Sequence, residues 1–487
     1  MANFDAYIKA LQEADPSIGI VTDKAACSSY VSKNYSRVPA SAPKAILYPV
    51  TPAQVEEIVK AANEYEVPLV VRSSQGDETY HGSSVPAGGQ ECAAVNLSRM
   101  TKIMHIDTRN NMAIIEPGVT FAQLNEALKP YGRCVEHPLL ARAEKSVVAS
   151  FLDREPVLTP KHGWDTPDPL SCVEMVMGNG TVFRTGSAAG PGTLEEMLES
   201  GCAISQPQGP VWLDLVRVMS GSQGTLAIAT WASVKIRPIG SVKKQIYVQT
   251  DDMDALAAYS TAVIRRRLGE NIFILNRRGL ALVTGTDPAL TAQMPAWTLV
   301  ADARGFHYFP ERYMENQILD MQALAEPLGL AVIEELDGVS NETIDHVING
   351  ISGSGDYWKD RIGMDKVDCF FLSTLDKASK YIKLAEAAVN RFELDPADMA
   401  VYIQPHMMSR DCQIEFLIPA ADEKINDLNR MLSILLLDNQ AFFASPYGEI
   451  TEAVFEKSSS QTPFLHHIKD FFDEKRIMNP GRLVYGA

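Results

Sequence analysis

The chain has 487 residues, which is too long for one ordinary hydrophobic core, so we expect two domains. Hydrophobic residues make up 46% and charged residues 22% of the chain, as in soluble globular proteins, and no apolar run is long enough to span a bilayer. The formal net charge of −17 argues against nucleic acid as the main partner, because phosphate repels an acidic surface.

The seven cysteines are scattered and none belongs to a Cys-x-x-Cys pair, which excludes iron–sulfur, zinc-ribbon and thioredoxin-type sites. We therefore predict no metal site. Scattered thiols suit a reducing compartment. The N-terminal segment is acidic and amphipathic and lacks the basic start and apolar centre of a signal peptide. We therefore expect a cytoplasmic protein.

Residues 45–72 predict a strand, a helix and a second strand. Thr51 is a suitable N-cap, Pro52 suits the first helical position, and Gln54 stands three residues after the cap. This unit delivers the segment RSSQGDETYHGSS (residues 72–84) at the carboxyl end of a strand. Successive backbone N–H groups of such small residues can converge on an anion, so the segment is a candidate phosphate-binding loop.

Short strands and one helix continue to residue 240, and longer helices follow. The predicted strands are 93–97, 103–106, 112–116, 226–231 and 233–237, with a helix at 121–128 and a hairpin at 170–185. Beyond residue 240 we predict helices 254–268, 311–327, 377–392 and 422–437, with strands 296–302, 329–335, 400–403 and 413–419 between them. The change from short strands to longer helices predicts a boundary at residue 240. We divide the chain into a first domain, 1–240, a second domain, 241–440, and a C-terminal segment, 441–487, that returns to the first domain.

Common nucleotide and hydrolase motifs (GxGxxG, Walker A, GxSxG and HExxH) are absent. Instead, four segments rich in small residues follow one another: 72–84, EKSVVASFL (144–152), SGSQGTLAIAT (220–230) and NPGRL (479–483). Together with IIEPGVTF (114–121) and EMVMGNGTVFRTG (174–186), they resemble the FAD-binding half of the vanillyl-alcohol oxidase/p-cresol methylhydroxylase flavoproteins. That superfamily includes glycolate and D-lactate dehydrogenases.

The resemblance implies an α+β fold, with a two-part FAD-binding domain of the p-cresol methylhydroxylase type and an α+β substrate (cap) domain. In that family the first segment holds the FAD diphosphate, the second and third line the flavin, and the Asn-Pro-Gly tail closes over it. The cofactor-binding residues that it implies here are Arg72, Ser73, Ser74, Gly76, Asp77, Gly82, Ser83, Ser146, Ser150, Gly224, Ile228, Asn479 and Arg482.

The resemblance also implies transfer of a hydride to flavin N5 and a nearby group that handles a proton. Asp165 lines up with an aspartate beside the flavin, although it is equally suited to a turn before a proline. Tyr80 or His81 would face the flavin edge, and His81 could instead carry a covalent flavin bond. His406 is the third candidate for the proton-handling group. It stands where one branch has a metal motif, but Gln413 replaces the second histidine, so we expect a substrate-pocket or core role in place of a metal site.

The phenol-oxidising branch holds the phenolate with a tyrosine and an arginine, whereas segment 440–449 offers Phe443 and Tyr447 but no arginine. A phenolate without a cation is poorly stabilised in a dry pocket. Arg277 or Arg361 could hold a carboxylate instead.

The sequence therefore predicts an FAD-dependent oxidoreductase that acts on a small aromatic alcohol, either benzylic or para-alkylphenolic. A 2-hydroxy-acid dehydrogenase, like those for D-lactate and glycolate, is one alternative. A flavin electron-relay subunit of a larger complex is another. Oxygen and a partner protein both remain open as the electron acceptor, and a homodimer is compatible with the sequence.

Overall fold

The structure is a computed structural model, and it describes residues 3–32, 40–76, 82–163, 168–209, 214–353, 355–363, 365–448, 450–458 and 460–485. Four predicted site residues, Asp77, Tyr80, His81 and Asp165, lie outside the described residues. Within the described residues, no helix has both the length and the apolar character needed to cross a membrane.

The strands are β1 (Gly19–Val21), β2 (Ala45–Tyr48), β3 (Leu69–Arg72), β4 (Ala93–Asn96), β5 (Ile103–Asp107), β6 (Met112–Ile115), β7 (Arg133–Val135), β8 (Leu170–Met177), β9 (Val182–Arg184), β10 (Ala227–Pro238), β11 (Val242–Thr250), β12 (Ile272–Asn276), β13 (Trp297–Gly305), β14 (Val332–Ile333), β15 (Lys366–Ser373), β16 (Ala400–His406) and β17 (Asp411–Pro419).

The α-helices are α1 (Phe4–Ala14), α2 (Lys24–Ser32), α3 (Pro52–Tyr65), α4 (Phe121–Leu128), α5 (Val147–Leu152), α6 (Leu194–Glu199), α7 (Leu215–Met219), α8 (Met253–Arg265), α9 (Arg277–Thr284), α10 (Pro288–Thr291), α11 (Pro310–Ala325), α12 (Asn341–Asn349), α13 (Ala378–Arg391), α14 (Asp422–Asp438), α15 (Ile450–Lys457) and α16 (Thr462–Phe472). This mixture of helices and sheets confirms the predicted α+β class.

The first sheet has the strand order β1-β2-β4-β3, and β2, β4 and β3 run parallel. It contains the predicted β2-α3-β3 unit. Thr51 caps α3 by accepting a hydrogen bond from the backbone N–H of Gln54 at 3.2 Å. The C-terminal tail joins the edge strand, because Leu69 donates to the carbonyl of Ile477 at 2.8 Å and Asn479 donates to that of Leu69 at 2.7 Å.

The second sheet is antiparallel, with the order β5-β6-β10-β8-β9 and β7 paired to β10. The predicted hairpin is present as β8 and β9. We expected two strands between residues 226 and 237, but the structure has the single strand β10. Its register shifts between Ala229 and Trp231 and again between Ala232 and Val234. These irregularities disturb the alternation of side chains, which explains the apparent break.

The third sheet belongs to the cap and has the order β14-β11-β13-β12-β16-β17-β15, all antiparallel. One face packs against α8, α11, α13 and α14 through Leu256, Met321, Tyr381 and Leu428. The opposite face packs toward the FAD-binding half, where a cluster includes Leu139, Leu158, Trp358 and Tyr402. The sequence analysis missed β11, β12 and β15, and the predicted strand 329–335 is reduced to β14.

Candidate functional site

A first cavity of about 1060 Å³ lies where β3, α5, β8, α7 and β10 approach one another. Its lining residues that are small or carry a neutral polar side chain are Ser73, Ser74, Ser83, Ser84, Ser222, Gln223 and Gly224. Its apolar lining includes Val71, Val148, Leu152, Met175, Met219 and Ile228. The lining therefore offers hydrogen-bond donors for phosphate oxygens and apolar walls for rings.

The polar part of the cavity is organised around the end of β3. Arg72 is 3% exposed, hydrogen-bonds the carbonyl of Gly76, and lies 5.1 Å from the centroid of the Tyr30 ring. Ser74 Oγ accepts a hydrogen bond at 3.2 Å from the N–H of Ser146, which caps α5. Gly76 has a φ of +74°, a conformation that glycine adopts without strain. These contacts hold the loop after β3 against the start of α5.

The C-terminal tail packs against two lining residues of the same cavity, Ser83 and Gln223. Asn479 Nδ2 donates to the carbonyls of Ser83 at 2.8 Å and Gln223 at 2.6 Å, and Arg482 Nη2 donates to that of Val85 at 2.6 Å. Asn479 Oδ1 and Arg482 Nε are buried without a hydrogen-bond partner among the described residues. Buried polar atoms are nearly always paired, so the tail fits a polar ligand such as FAD.

A buried ion pair holds two of these loops together. Lys469 on α16 is 1% exposed, and its ammonium lies 2.6 Å from Asp473 Oδ2. The ammonium also donates to the carbonyls of Thr225 at 2.6 Å and Met478 at 2.8 Å. Burial lowers the pKa of Lys469, and the neighbouring Asp473 opposes this change. Thr225 follows Gly224 and Met478 precedes Asn479, so the pair connects two walls of the cavity.

A second cavity, of about 920 Å³, lies between the cap sheet and the FAD-binding half. Its aromatic lining residues are Tyr357, Trp358, Phe370, Phe371, Tyr402 and Tyr447. Trp358 is fixed by a hydrogen bond from Nε1 to the carbonyl of Leu139 at 3.2 Å. Lys359 also lines this cavity and forms ion pairs with Glu415 and, at 3.0 Å, with Asp368. The cavity therefore combines aromatic walls with a buried, paired cation.

The two cavities share Arg142, Lys145 and Asp153. Lys145 is 7% exposed, and its ammonium lies 3.1 Å from Asp153 Oδ2 and 2.7 Å from Glu155 Oε1. Burial raises the pKa of Asp153, Lys145 lowers it, and Glu155 raises it, with a net rise. For Lys145, burial lowers the pKa but the two carboxylates outweigh burial and raise it. The junction therefore carries two cations, Arg142 and Lys145, beside the two carboxylates Asp153 and Glu155.

Most of the predicted cofactor-binding residues lie in or behind the first cavity. Arg72, Ser73, Ser74, Ser83, Gly224 and Ile228 line it. Gly76, Ser146, Asn479 and Arg482 make the supporting hydrogen bonds given above. Ser150 Oγ donates to Glu155 Oε2 at 2.5 Å, and Gly82 accepts a backbone hydrogen bond from Val85 at 3.4 Å. Their roles in cofactor binding stay predictions.

The predicted substrate residues are more dispersed. Tyr447 lines the second cavity, where burial and then Asp153 and Glu155 raise its pKa. Phe443 packs in the cap core, with its ring centroid 5.9 Å from that of Phe371.

Neither predicted arginine is among the residues that line the two cavities. Arg277 donates to the carbonyl of Met294 at 2.5 Å and lies 3.5 Å from Asp251. Arg361 donates to two carbonyls of α9 and pairs with Asp356 at 3.0 Å. These contacts argue against the carboxylate-binding role that the sequence suggested, because they hold each guanidinium elsewhere.

His406 ends β16, is 4% exposed, and its Nδ1 lies 2.6 Å from Asp411 Oδ1. It is not among the residues that line the two cavities. In the described parts of the chain, no three His, Cys, Asp or Glu side chains are grouped so that they could hold a metal ion. The position favours the core role over a place in the substrate pocket.

Several residues of the junction and the second cavity escaped the sequence analysis. Segment 144–152 was interpreted through its small residues, and no role was predicted for Lys145 within it or for Asp153 and Glu155 just after it. Lys359 follows two aromatic residues in the stretch DYWKD, which was the available signal. Its partner Glu415 is 56 residues away, and no local pattern links them.

Residues 43–186 match the FAD binding domain family. Among curated relatives, the chain is 26% identical to the mitochondrial D-lactate dehydrogenase [cytochrome] of Arabidopsis thaliana, over 40% of this chain and 31% of that protein. It is 25% identical to glycolate oxidase subunit GlcD of Bacillus subtilis, over 47% of this chain and 44% of that protein. It is 31% identical to the 4-cresol dehydrogenase [hydroxylating] flavoprotein subunit of Pseudomonas putida, over 32% of this chain and 29% of that protein. Each match thus spans less than half of the relative's length.

Solved structures extend the similarity over the whole chain. Substrate-bound p-cresol methylhydroxylase superposes with a TM-score of 0.84 at 18% identity, covering 99% of this chain and 97% of that one. The 4-ethylphenol oxidase of Gulosibacter chungangensis superposes with a TM-score of 0.81 at 17% identity, again covering 99% of this chain and 97% of that one. The predicted resemblance is confirmed in the fold and in the FAD-binding domain, and FAD is the cofactor that these similarities indicate.

Proposed function

We propose that this chain, which has the FAD-binding domain and the fold of the p-cresol methylhydroxylase-type flavoproteins, oxidises a small aromatic alcohol or alkylphenol. The observation that carries the proposal is an aromatic cavity that shares three lining residues with the cavity fitted to FAD. FAD, when bound, supplies an acceptor for the hydride that leaves the substrate carbon. The protein supplies binding, orientation and proton handling.

The first cavity has the chemistry needed to hold FAD. Ser73, Ser74 and Ser83 offer hydroxyl and backbone donors to the diphosphate, beside the buried guanidinium of Arg72. Met175 and Ile228 are apolar wall residues suited to a ring system. Purified protein should therefore be yellow.

The second cavity favours an aromatic substrate. Trp358 and Tyr402 meet edge to face with ring centroids 6.0 Å apart, which provides flat apolar surfaces for a further ring. Lys359 supplies the cation that segment 440–449 lacks. A phenolic hydroxyl could accept a hydrogen bond from Lys359 or donate one to Glu415, so that it leaves no buried polar group unpaired.

A 2-hydroxy acid is the second candidate, because Arg142, Lys145, Arg154 and Lys359 all line the second cavity. Guanidinium and ammonium groups are the usual partners of a substrate carboxylate. Lys145 and Lys359, however, each pair with two carboxylates of the protein. A second anion there would compete with these partners, and this favours the neutral aromatic alcohol.

Anaerobic bleaching of the flavin tests the proposal. The panel is 4-hydroxybenzyl alcohols, 4-alkylphenols and D- and L-2-hydroxy acids, added to purified protein without a partner. We expect phenolic alcohols to bleach the flavin, and Lys359→Met to slow this reduction by at least tenfold. Lys380→Met, which removes an exposed lysine on α13, is the matched control and should leave the rate unchanged. Bleaching by hydroxy acids alone would support the second candidate, and no bleaching at all would support an electron-relay role.

A further inference from the structure

We propose that Asp153 and Glu155, bridged by Lys145, form the proton acceptor for the oxidised hydroxyl group. This inference rests on the proposed function for its reaction, but its geometry is independent of the substrate panel. It assigns the proton to described residues, whereas the sequence resemblance pointed to Asp165, which lies outside the described part of the chain.

The local chain path brings the three groups together. Lys145 precedes Ser146, the N-cap of α5, and Asp153 caps the C-terminus of the same helix. Arg154 then adopts a left-handed conformation with a φ of +62°, which reverses the chain. Glu155 donates its backbone N–H to the carbonyl of Ser150 at 3.0 Å. Both carboxylates consequently reach the one ammonium, at 3.1 Å and 2.7 Å.

The position of this group is the second argument. Lys145 and Asp153 line both the cofactor cavity and the aromatic cavity, and Glu155 lines the aromatic one. A substrate carbon that gives up a hydride must lie against the cofactor, so its hydroxyl must lie near the junction of the cavities. The side chains of Asp153 and Glu155 are each 24% exposed, so they are accessible from this space, whereas Lys145 is 9% exposed.

The charges around the pair suit a proton acceptor. Arg142 and Arg154 line the same cavity, and Tyr447 is close enough for Asp153 and Glu155 to raise its pKa. On the cap side, the cation of Lys359 is already paired with Glu415 and Asp368. Burial and then Glu155 raise the pKa of Asp153, Lys145 and Arg142 lower it, and the net rise means that Asp153 takes up a proton more readily than an exposed carboxylate does.

The oxidation removes one proton and one hydride from the alcohol. The substrate O–H bond breaks and its proton moves to the carboxylate pair, while the oxygen keeps the bonding electrons. The adjacent C–H bond breaks with both of its electrons, and FAD, when bound, would accept this hydride. The oxygen electrons form the second bond of the product carbonyl. The alcohol thus loses two electrons and two hydrogens in total.

The first test is an infrared pH titration of the oxidised holoenzyme without substrate, following the band of protonated carboxyl groups. We expect one component to titrate above the ordinary carboxyl range and to disappear in Asp153→Asn and in Glu155→Gln. Asp438→Asn, at an exposed ion pair with Lys457, is the matched control and should retain this component. A wild-type titration curve without the component would overturn the proposal.

The second test is the pH profile of anaerobic flavin reduction by the best substrate of the panel. The wild-type rate should rise with pH through one apparent pKa, and Asp153→Asn/Glu155→Gln should lose this step and react at least about 100-fold more slowly. A wild-type profile in that double variant, or loss of the step in Asp165→Asn alone, would refute the assignment. If no substrate bleaches the flavin, the proposed function fails, while the infrared titration still decides the proton site.

Discussion

Replacing Lys469 by Met removes the cation that connects two walls of the cofactor cavity. The substitution keeps the length of the side chain but leaves Asp473, which is 0% exposed, buried without its partner. Removing one member of a buried ion pair typically costs about 3–5 kcal/mol of unfolding free energy. The carbonyls of Thr225 and Met478 lose their donor as well. We therefore expect Lys469→Met to lose several kcal/mol and to bind FAD at least tenfold more weakly.

Denaturant unfolding of the apoprotein and FAD titration measure the two effects separately. The matched control is Lys457→Met, which breaks an ion pair with Asp438 whose side chains are 51% and 55% exposed, and which should cost less than about 1 kcal/mol. The double variant Lys469→Met/Asp473→Asn removes the unpaired charge and should recover most of the stability but not the FAD affinity. Wild-type stability and affinity in Lys469→Met would refute the reasoning.

Three further predictions concern pH, packing and the tail. Burial raises the pKa of Glu270, but Lys161 and His162 outweigh it and hold the pKa at about 2, below the ordinary 4.5. This stabilisation, about 3 kcal/mol at 1.36 kcal/mol per pKa unit, is present above pH 4.5 and lost as the pH falls toward 2. Glu270→Gln should therefore destabilise the protein more at pH 7 than at pH 3.5 in denaturant titrations, and an equal effect would contradict this. Gly118→Ala would place a Cβ 2.5 Å from the carbonyl oxygen of Leu97, so we expect at least about 2 kcal/mol of destabilisation by thermal unfolding. Asn479→Ala should raise the dissociation constant of FAD at least tenfold, and unchanged binding would contradict a role for the tail.

The FAD-binding half was largely predictable from sequence because its signals are local. Thr51 and Gln54 form a recognisable N-terminal cap that predicts the start of α3, and the loop after β3 is recognisable from its run of small residues. Strand β10 was predicted as two pieces because its irregular register interrupts the alternation on which strand prediction depends.

The substrate cavity was less predictable because its residues are brought together by non-local pairing. Lys359 precedes β15 in the chain, and it meets Glu415 on β17, which the pairing of β15 and β17 places opposite Phe370. The sequence suggested that Arg361 could hold a carboxylate, but the carbonyls of Leu282 and Val283 in α9 accept its hydrogen bonds. Composition and spacing contain neither fact.

In the proposed function, the first cavity binds FAD and the second cavity presents an aromatic alcohol to it. The most direct measurement is an FAD titration of the apoprotein by flavin fluorescence, followed by anaerobic addition of a 4-hydroxybenzyl alcohol. One FAD should bind per chain, and the alcohol should then bleach it. A folded apoprotein that binds no FAD would contradict the cofactor assignment, and bound FAD that only hydroxy acids bleach would contradict the aromatic substrate.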